Sequence, residues 1–177
     1  MDYLKFIFYG VIQGLTEFIP VSSTAHVKII SQLFGINDPG SSYSAILQIG
    51  SIFAIFWYFK KNIFNLYNTN SSYVKRLYFT KKLCKSIFIG TIPIVLFGGI
   101  IKLFIPEFSE TFLRSNLSIS LFSILMSLIM LLADNSSYKF INLSNHNYFN
   151  SFYIGIAQAF AIIPGVSRSG ATISMAL

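Results

Sequence analysis

Charged residues are scarce in this sequence. Of its 177 residues, only 11% are charged and 54% are hydrophobic, and the mean hydropathy is +0.64. An average soluble domain has about 25% charged residues, so these few charges could not solvate the surface of a water-soluble protein. The sequence has one cysteine, which excludes a disulfide scaffold, and its hydrophobicity excludes a disordered or collagen-like chain. The composition therefore predicts an integral membrane protein with several helical spans.

Motifs of nucleotide and zinc chemistry are also missing. The sequence has no Walker A segment, no HExxH and no GxGxxG, so ATP-driven transport, zinc proteolysis and dinucleotide chemistry have no support. The net charge is +7, which in a soluble protein would suggest a nucleic-acid partner. Here the basic residues lie between apolar segments, which favours a role in membrane topology over nucleic-acid binding.

Apolar stretches of two kinds follow one another along the chain. A membrane span takes about 20 residues, and three stretches are candidates: Tyr43–Phe59, Leu83–Ile105 and Leu117–Ala133. The other stretches are shorter or are ended by Pro or Gly, and we expect them to be half-helices or re-entrant segments. They are Tyr3–Ile19, Val27–Ile36, Phe149–Ile163 and Ala171–Leu177.

The segment 60–85 contains seven of the thirteen basic residues and no acidic residue. We interpret it as a loop between two spans, which the positive-inside rule places in the cytoplasm. The segment Pro106–Ser115 contains two glutamates and only one arginine, and it fits the outer side. A nucleic-acid patch is the alternative for the basic segment, but its position as a connector between spans favours the loop.

An internal repeat appears when the sequence is shifted by 145 residues. Gln13 then coincides with Gln158, and Gly10, Val21 and Ser22 also fall on identical residues. Each copy consists of an apolar helix, a break that contains proline, a serine cluster and a second apolar helix; the breaks cover 13–26 and 158–172. Chance similarity between apolar helices is the alternative, and the shared break and serines argue against it. Such interrupted repeats often meet at the bilayer midplane, with helix N-termini directed at an anionic ligand.

The second break, Pro164–Thr172, has the composition of an anion site. Its proline is expected to end the incoming helix, and Gly165 and Gly170 are expected to let the backbone approach a ligand closely. Ser167 or Ser169 can cap the next helix. The backbone N–H groups at that helix N-terminus and the arginine between these serines suit a phosphate. The alternative is an interfacial turn whose arginine reaches lipid headgroups.

The first break combines several reactive side chains. Gln13 and Glu17 lie four residues apart on one helix face, and Glu17 is the only acid in any apolar stretch. A glutamate inside the membrane is costly unless it has a partner, although a polar contact between helices would also explain this pair. Together with Ser23, His26 and Arg168, Glu17 completes a set that is sufficient for phosphoryl transfer.

At these residues the chain resembles the undecaprenyl-diphosphate phosphatase family, also called the bacitracin-resistance proteins. The (E/Q)xxxE motif of that family appears as Gln13–Glu17, and it continues into FIPVSSTAH at Phe18–His26. The PGxSRSxxT motif of the family appears as Pro164–Thr172, and the segment Gln48–Ile52 is also similar. The resemblance covers almost the whole chain.

The resemblance implies a multi-pass enzyme of the bacterial inner membrane, which hydrolyses the polyprenyl lipid undecaprenyl diphosphate to undecaprenyl phosphate and inorganic phosphate. This reaction recycles the lipid carrier for peptidoglycan and limits the target of bacitracin. It implies an all-α polytopic fold in which two inverted-topology repeats contain re-entrant helix pairs. Family members continue for several more helices. We therefore expect residues 1–177 to form one membrane domain, about the N-terminal two-thirds of the family fold without its C-terminal helices.

The family also implies roles for individual residues. Glu17, Ser23, His26 and Arg168 are expected to be catalytic, with Ser23 or His26 as the nucleophile or His26 as a base for water. Glu17 and Gln13 are expected to bind or orient a divalent cation, Mg²⁺ or Ca²⁺, or a water; the single carboxylate weakens the case for two metals. The alternative function is a transporter or flippase for an anionic lipid or small anion, which needs no nucleophile and base. The residues expected to bind the diphosphate are Ser22, Ser167, Arg168, Ser169, Gly170 and Thr172.

Overall fold

The computed structural model describes residues 2–36, 40–65, 73–136 and 147–177. Within these ranges every regular element is helical, as the composition predicts. A 3₁₀ turn, Phe160–Ile162, follows the seventh α-helix. The α-helices of the described residues are α1 (Asp2–Glu17), α2 (Ser23–Leu33), α3 (Gly40–Asn65), α4 (Tyr73–Phe104), α5 (Pro106–Glu110), α6 (Asn116–Ser136), α7 (Tyr148–Ala159) and α8 (Arg168–Ala176).

Three helices are long and apolar enough to cross a membrane. The qualifying segments are Gly40–Lys61 of α3, Lys81–Phe104 of α4 and Asn116–Ser136, which is the whole of α6. At about 1.5 Å of rise per residue, each segment reaches about 30 Å, the thickness of the hydrocarbon core. Large apolar side chains such as Phe53 and Phe88 are exposed on these helices, which suits contact with lipid. The chain is an all-α membrane protein, and the three predicted span candidates are confirmed as helices long and apolar enough to cross a membrane.

Two pairs of shorter helices contain the predicted breaks. α2, α7 and α8 have 11, 12 and 9 residues, fewer than the 20 or so that a span takes. In each pair the chain turns back, so that α2 packs on α1 and α8 packs on α7. Ile163 is extended, as the residue before Pro164 is expected to be. The helix–break–helix pattern therefore occurs twice, and the inverted relation of the two copies stays a prediction.

The segment 60–85 differs from the expected loop. α3 continues to Asn65 and α4 begins at Tyr73, and the residues between them lie outside the described ranges. The prediction of a loop was wrong for the helical part, because hydropathy marks where the membrane ends and not where a helix ends. Lysine and arginine are good helix formers, so a helix continues readily beyond the bilayer. The cytoplasmic location of this segment stays a prediction.

The position of α7 is set by its packing along α4. The two backbones meet at Gly90 and Gly155, where a Cβ atom on Gly155 would lie 2.3 Å from the carbonyl oxygen of Gly90. Small residues at a contact let membrane helices approach this closely. α8 in turn packs against both α7 and α6. These contacts position the start of α8, where the second break ends.

Candidate active site

The first break places a carboxylate beside a serine hydroxyl. Gln13 and Glu17 share one face of α1, and Gln13 is only 1% exposed. The Gln13 Nε2 atom donates to Glu17 Oε2 over 2.7 Å and to Ser23 Oγ over 3.3 Å. The Ser23 hydroxyl also donates to Glu17 Oε2, over 2.7 Å. The Oε2 atom of Glu17 thus accepts one hydrogen bond from Gln13 and one from Ser23. The orientations of the Glu17 and Ser23 side chains therefore depend on each other.

Serine residues cap the helices that follow both breaks. The Ser22 hydroxyl accepts a hydrogen bond from the backbone N–H of Ala25 at the start of α2, over 3.4 Å. The Ser167 hydroxyl accepts one from the N–H of Gly170 at the start of α8, over 3.1 Å. These are N-cap contacts. Of the two serines that the sequence offered as the cap of α8, Ser167 is confirmed. Ser169 lies in the first turn of α8 instead.

Two hydrogen bonds join the breaks directly, although they are far apart in the sequence. The backbone N–H of Gly165 donates to Ser22 Oγ over 3.2 Å. The hydroxyl of Ser169 donates to the carbonyl oxygen of Ile19 over 3.1 Å. Ser22 therefore accepts from its own helix and from the other break, and it ties the two copies of the repeat together.

Glu17 lies between the serine hydroxyl of one break and the arginine of the other. Its Oε2 atom accepts from Ser23, whereas its Oε1 atom lies 3.8 Å from Nη1 of Arg168. The Glu17 side chain is 18% exposed and that of Arg168 is 50% exposed. The carboxylate thus has the partners that its location in an apolar helix requires, and the guanidinium keeps donors for a ligand.

A small polar pocket opens where the breaks meet. Its wall combines Glu17, the first turns of α2 and α8, and part of α3. The first N–H groups of a helix have no partner within that helix, so both N-termini present partial positive charge to the pocket. Together with the charge of Arg168, they suit an anion with several oxygen atoms, such as a phosphate group. The lining residues are Glu17, Val21, Ser22, Ser23, Thr24, Gln48, Ala161, Val166, Ser167, Arg168 and Ser169.

Four of the predicted site residues do not line this pocket. His26 is exposed, and its Nδ1 atom lies 2.8 Å from the carbonyl oxygen of Ser22. The N–H of Gly170 is used by the cap of α8, and the hydroxyl of Thr172 donates to backbone carbonyls one turn earlier. Gln13 lies behind the wall and reaches the pocket only through its hydrogen bonds.

Comparison with known sequences identifies the family. The family described as bacitracin resistance protein BacA matches residues 6–177. The chain belongs to this family. A relative named undecaprenyl-diphosphatase, from Prochlorococcus marinus strain MIT 9515, is 74% identical over 100% of this chain, and a relative of the same name from Trichodesmium erythraeum strain IMS101 is 44% identical over 93% of it. The chain spans 66% of the length of the first relative and 54% of the second.

Two glycines of the BacA arginine motif pack closely against α6. Gly165 has a φ of +104°, and a Cβ atom there would lie 2.6 Å from the carbonyl oxygen of Ile119. A Cβ atom on Gly170 would lie 2.9 Å from Sδ of Met130. The close approach that we expected exists, but the partner is a helix of the same chain. These glycines therefore allow close helix packing, and the ligand-binding role predicted for them stays a prediction.

The pocket of this BacA-family chain also contains polar residues that the sequence interpretation did not select. Thr24 follows Ser23 in the first turn of α2, and Gln48 lies within the span of α3. The Gln48 amide could have been noticed in the sequence, because a polar group within an apolar span is costly and therefore indicates a functional residue. That it faces the two breaks depends on the packing of α3 against α1.

Proposed function

We propose that this chain carries the catalytic centre of an undecaprenyl-diphosphate phosphatase, which hydrolyses undecaprenyl diphosphate to undecaprenyl phosphate and inorganic phosphate. The observation that carries the proposal is the position of Glu17 between the Ser23 hydroxyl and the Arg168 guanidinium. The two relatives described above are named undecaprenyl-diphosphatase, which supports the same reaction. In the bacterial inner membrane the reaction recycles the lipid carrier for peptidoglycan and reduces the target of bacitracin.

The diphosphate binds in the polar pocket. The N–H groups at the starts of α2 and α8 and the guanidinium of Arg168 bind its oxygen atoms. Arg168 also stabilises the charge on the phosphoryl group during transfer. Val21, Ala161 and Val166 in the same wall offer apolar contact to the lipid next to the diphosphate.

Ser23 is the nucleophile and Glu17 is its base. As Ser23 Oγ forms a bond to the terminal phosphorus, its proton passes to Glu17 Oε2, which already accepts that hydrogen bond over 2.7 Å. The bond from phosphorus to the departing undecaprenyl phosphate breaks, and Glu17 gives the proton to this leaving group. Glu17 then takes a proton from a water molecule as the water oxygen bonds to the phosphorus. The bond from phosphorus to Ser23 Oγ breaks, inorganic phosphate leaves, and Glu17 returns the proton to Ser23 Oγ. The geometry favours Ser23 over His26 because the imidazole does not line the pocket, and a transporter would need no such pair.

The described residues fit a divalent cation whose coordination is completed by the substrate. The ranges covered by the structure contain no group of three His, Cys, Asp or Glu side chains. Mg²⁺ is often held by one or two carboxylates together with phosphate oxygens and water. Glu17 in the pocket wall is an oxygen ligand of this kind. The Oε1 atom of Gln13 is buried behind the wall without a partner among the described residues, and its contact with a cation stays a prediction. A bound Mg²⁺ or Ca²⁺ would neutralise diphosphate charge.

Phosphate release from undecaprenyl diphosphate tests the proposal. The purified chain in detergent is assayed with and without Mg²⁺ or Ca²⁺, beside Ser23→Ala, Glu17→Gln and the control His26→Asn. We expect release by the wild type, a loss of at least about 100-fold in the first two variants, and retention of most activity in the control. A full loss in His26→Asn with activity kept in Ser23→Ala would refute the assignment of the nucleophile. A folded wild-type chain that released no phosphate would contradict the proposal that this segment carries a complete centre.

A further inference from the structure

Most hydroxyl groups of the pocket wall are already used in hydrogen bonds within the protein. Their partners are Glu17, backbone N–H groups at the caps, and a backbone carbonyl. The hydroxyls concerned are those of Ser22, Ser23, Ser167 and Ser169. Ser23 and Ser169 donate their hydroxyl protons within the protein, to Glu17 Oε2 and to the carbonyl oxygen of Ile19, so neither has a proton left for a ligand. Ser22 and Ser167 act as acceptors at their caps. Besides Arg168, the polar wall side chains that form no hydrogen bond with any described residue are those of Thr24 and Gln48, and both carry donors that a ligand can use.

Gln48 differs from the other polar wall residues because it comes from neither break. It lies in the first half of α3, within the span Gly40–Lys61, and it is half-buried. In the described part of the chain it is the only residue through which α3 contributes to the pocket wall. An amide without a partner is costly in apolar surroundings unless a ligand or water pairs with it. Its place in the polar wall provides such a partner when an anion is bound.

We propose that Gln48 is a substrate-binding residue whose Nε2 group donates a hydrogen bond to a phosphoryl oxygen of the bound diphosphate. The inference rests on the function proposed above. Arg168 and the starts of α2 and α8 supply positive charge from the two breaks, and Gln48 supplies a neutral donor from the α3 side of the pocket. A phosphate group has oxygen atoms on several sides, so a donor from a third helix fixes its rotation as well as its position.

The test measures binding of methylenediphosphonate, a diphosphate analogue that is not hydrolysed, to the full chain in detergent. Gln48→Met keeps the length of the side chain and removes the amide, and we expect the Kd to rise about tenfold or more because a hydrogen bond to a charged group is lost. Gln48→Glu places a carboxylate beside the anion, and we expect weaker binding still. Gln158→Met is the matched control, because Gln158 is a half-buried glutamine of α7 outside the pocket wall; its Kd should match the wild type.

Phosphate release is measured in parallel so that the two proposals can fail separately. An unchanged Kd in Gln48→Met overturns the role of Gln48, and normal release in the same sample would leave the hydrolase intact. Tighter binding in Gln48→Glu also overturns it, because the amide would then be an acceptor. Analogue binding that needs Gln48 without any phosphate release would refute the hydrolase and keep the anion contact. If the wild type binds no analogue, the contact from Gln48 is overturned, and the hydrolase is wrong as well if no phosphate is released. Gln48→Asn, which keeps an amide on a shorter side chain, should give an intermediate Kd and replaces Gln48→Met if that variant does not fold.

Discussion

Replacement of Gly155 by alanine should destabilise the chain through a single backbone contact. The added Cβ atom would lie 2.3 Å from the carbonyl oxygen of Gly90, whereas real Cβ atoms essentially never come closer than 3.0 Å. α7 and α4 must therefore separate by about 0.7 Å. The obstacle is backbone, which cannot rotate away as a flexible side chain does. Overpacking of this kind costs about 1–3 kcal/mol, which corresponds to a fall of roughly 2–12 °C in apparent Tm for a chain of this size.

The same substitution at Gly10 is the matched control. Gly10 also lies inside a helix, but a Cβ atom there meets nothing within 4 Å. Alanine is the better helix former by about 0.5–1 kcal/mol, so Gly10→Ala should leave the apparent Tm unchanged or raise it slightly. Both variants are heated in detergent, and the fraction of protein that stays monodisperse is recorded at each temperature. This measurement gives the difference in apparent Tm between them. An apparent Tm of Gly155→Ala equal to that of Gly10→Ala would refute the argument that the backbone contact positions α7.

Gly155→Ala should also reduce phosphate release at temperatures where the variant is still folded. α8 packs on α7, so a displaced α7 moves Arg168 relative to Glu17, and an error of about 1 Å in position costs up to roughly 100-fold in rate.

Three more perturbations test separate parts of the molecule. Arg168→Lys keeps the charge but loses the planar pair of donors, so we expect the kcat/KM of phosphate release to fall about 10- to 100-fold; an unchanged value would exclude paired contacts with phosphate. Ser22→Ala removes the α2 cap and the acceptor of the Gly165 N–H, and should cost about 1–2 kcal/mol in thermal unfolding; an unaltered Tm would mean that this link between the breaks adds no stability. Cys84, the only cysteine of the chain, is exposed near the start of the α4 span. An impermeant maleimide should label it from the cytoplasmic side alone, with Cys84→Ser as the control, and labelling from outside would reverse the orientation.

The charged residues of the site could be predicted from the sequence because charges are conspicuous in apolar surroundings. Glu17 and Arg168 each lie at a break between apolar helices, and the cost of burying a charge indicates a partner or a ligand. The structure brings them to 3.8 Å of each other. The repeat predicted that the breaks would have similar composition, and the capping serines of both copies, Ser22 and Ser167, follow from that similarity.

Other features could not be predicted because they depend on packing between distant segments. The motif indicated that Gly165 allows a close approach, but only the structure identifies Ile119 of α6 as the neighbour. Gln48 is visible as a lone amide in a span, yet its contribution to the pocket depends on how α3 packs against α1. His26 follows the serine cluster directly in the sequence, but the turn of the helix directs it away from the pocket wall.

The hydrogen bond between Ser22 and Gly165 has a consequence for biosynthesis. Its two partners lie 143 positions apart, and a chain grows at about 5–20 residues per second. The first break therefore waits roughly 7–29 s on the ribosome before its counterpart exists. Contacts between such distant segments also form late in folding. During that interval Glu17 has its neighbours from α1 and α2 but not Arg168. The nascent protein therefore contains the carboxylate and the serine of the site before the arginine that completes it.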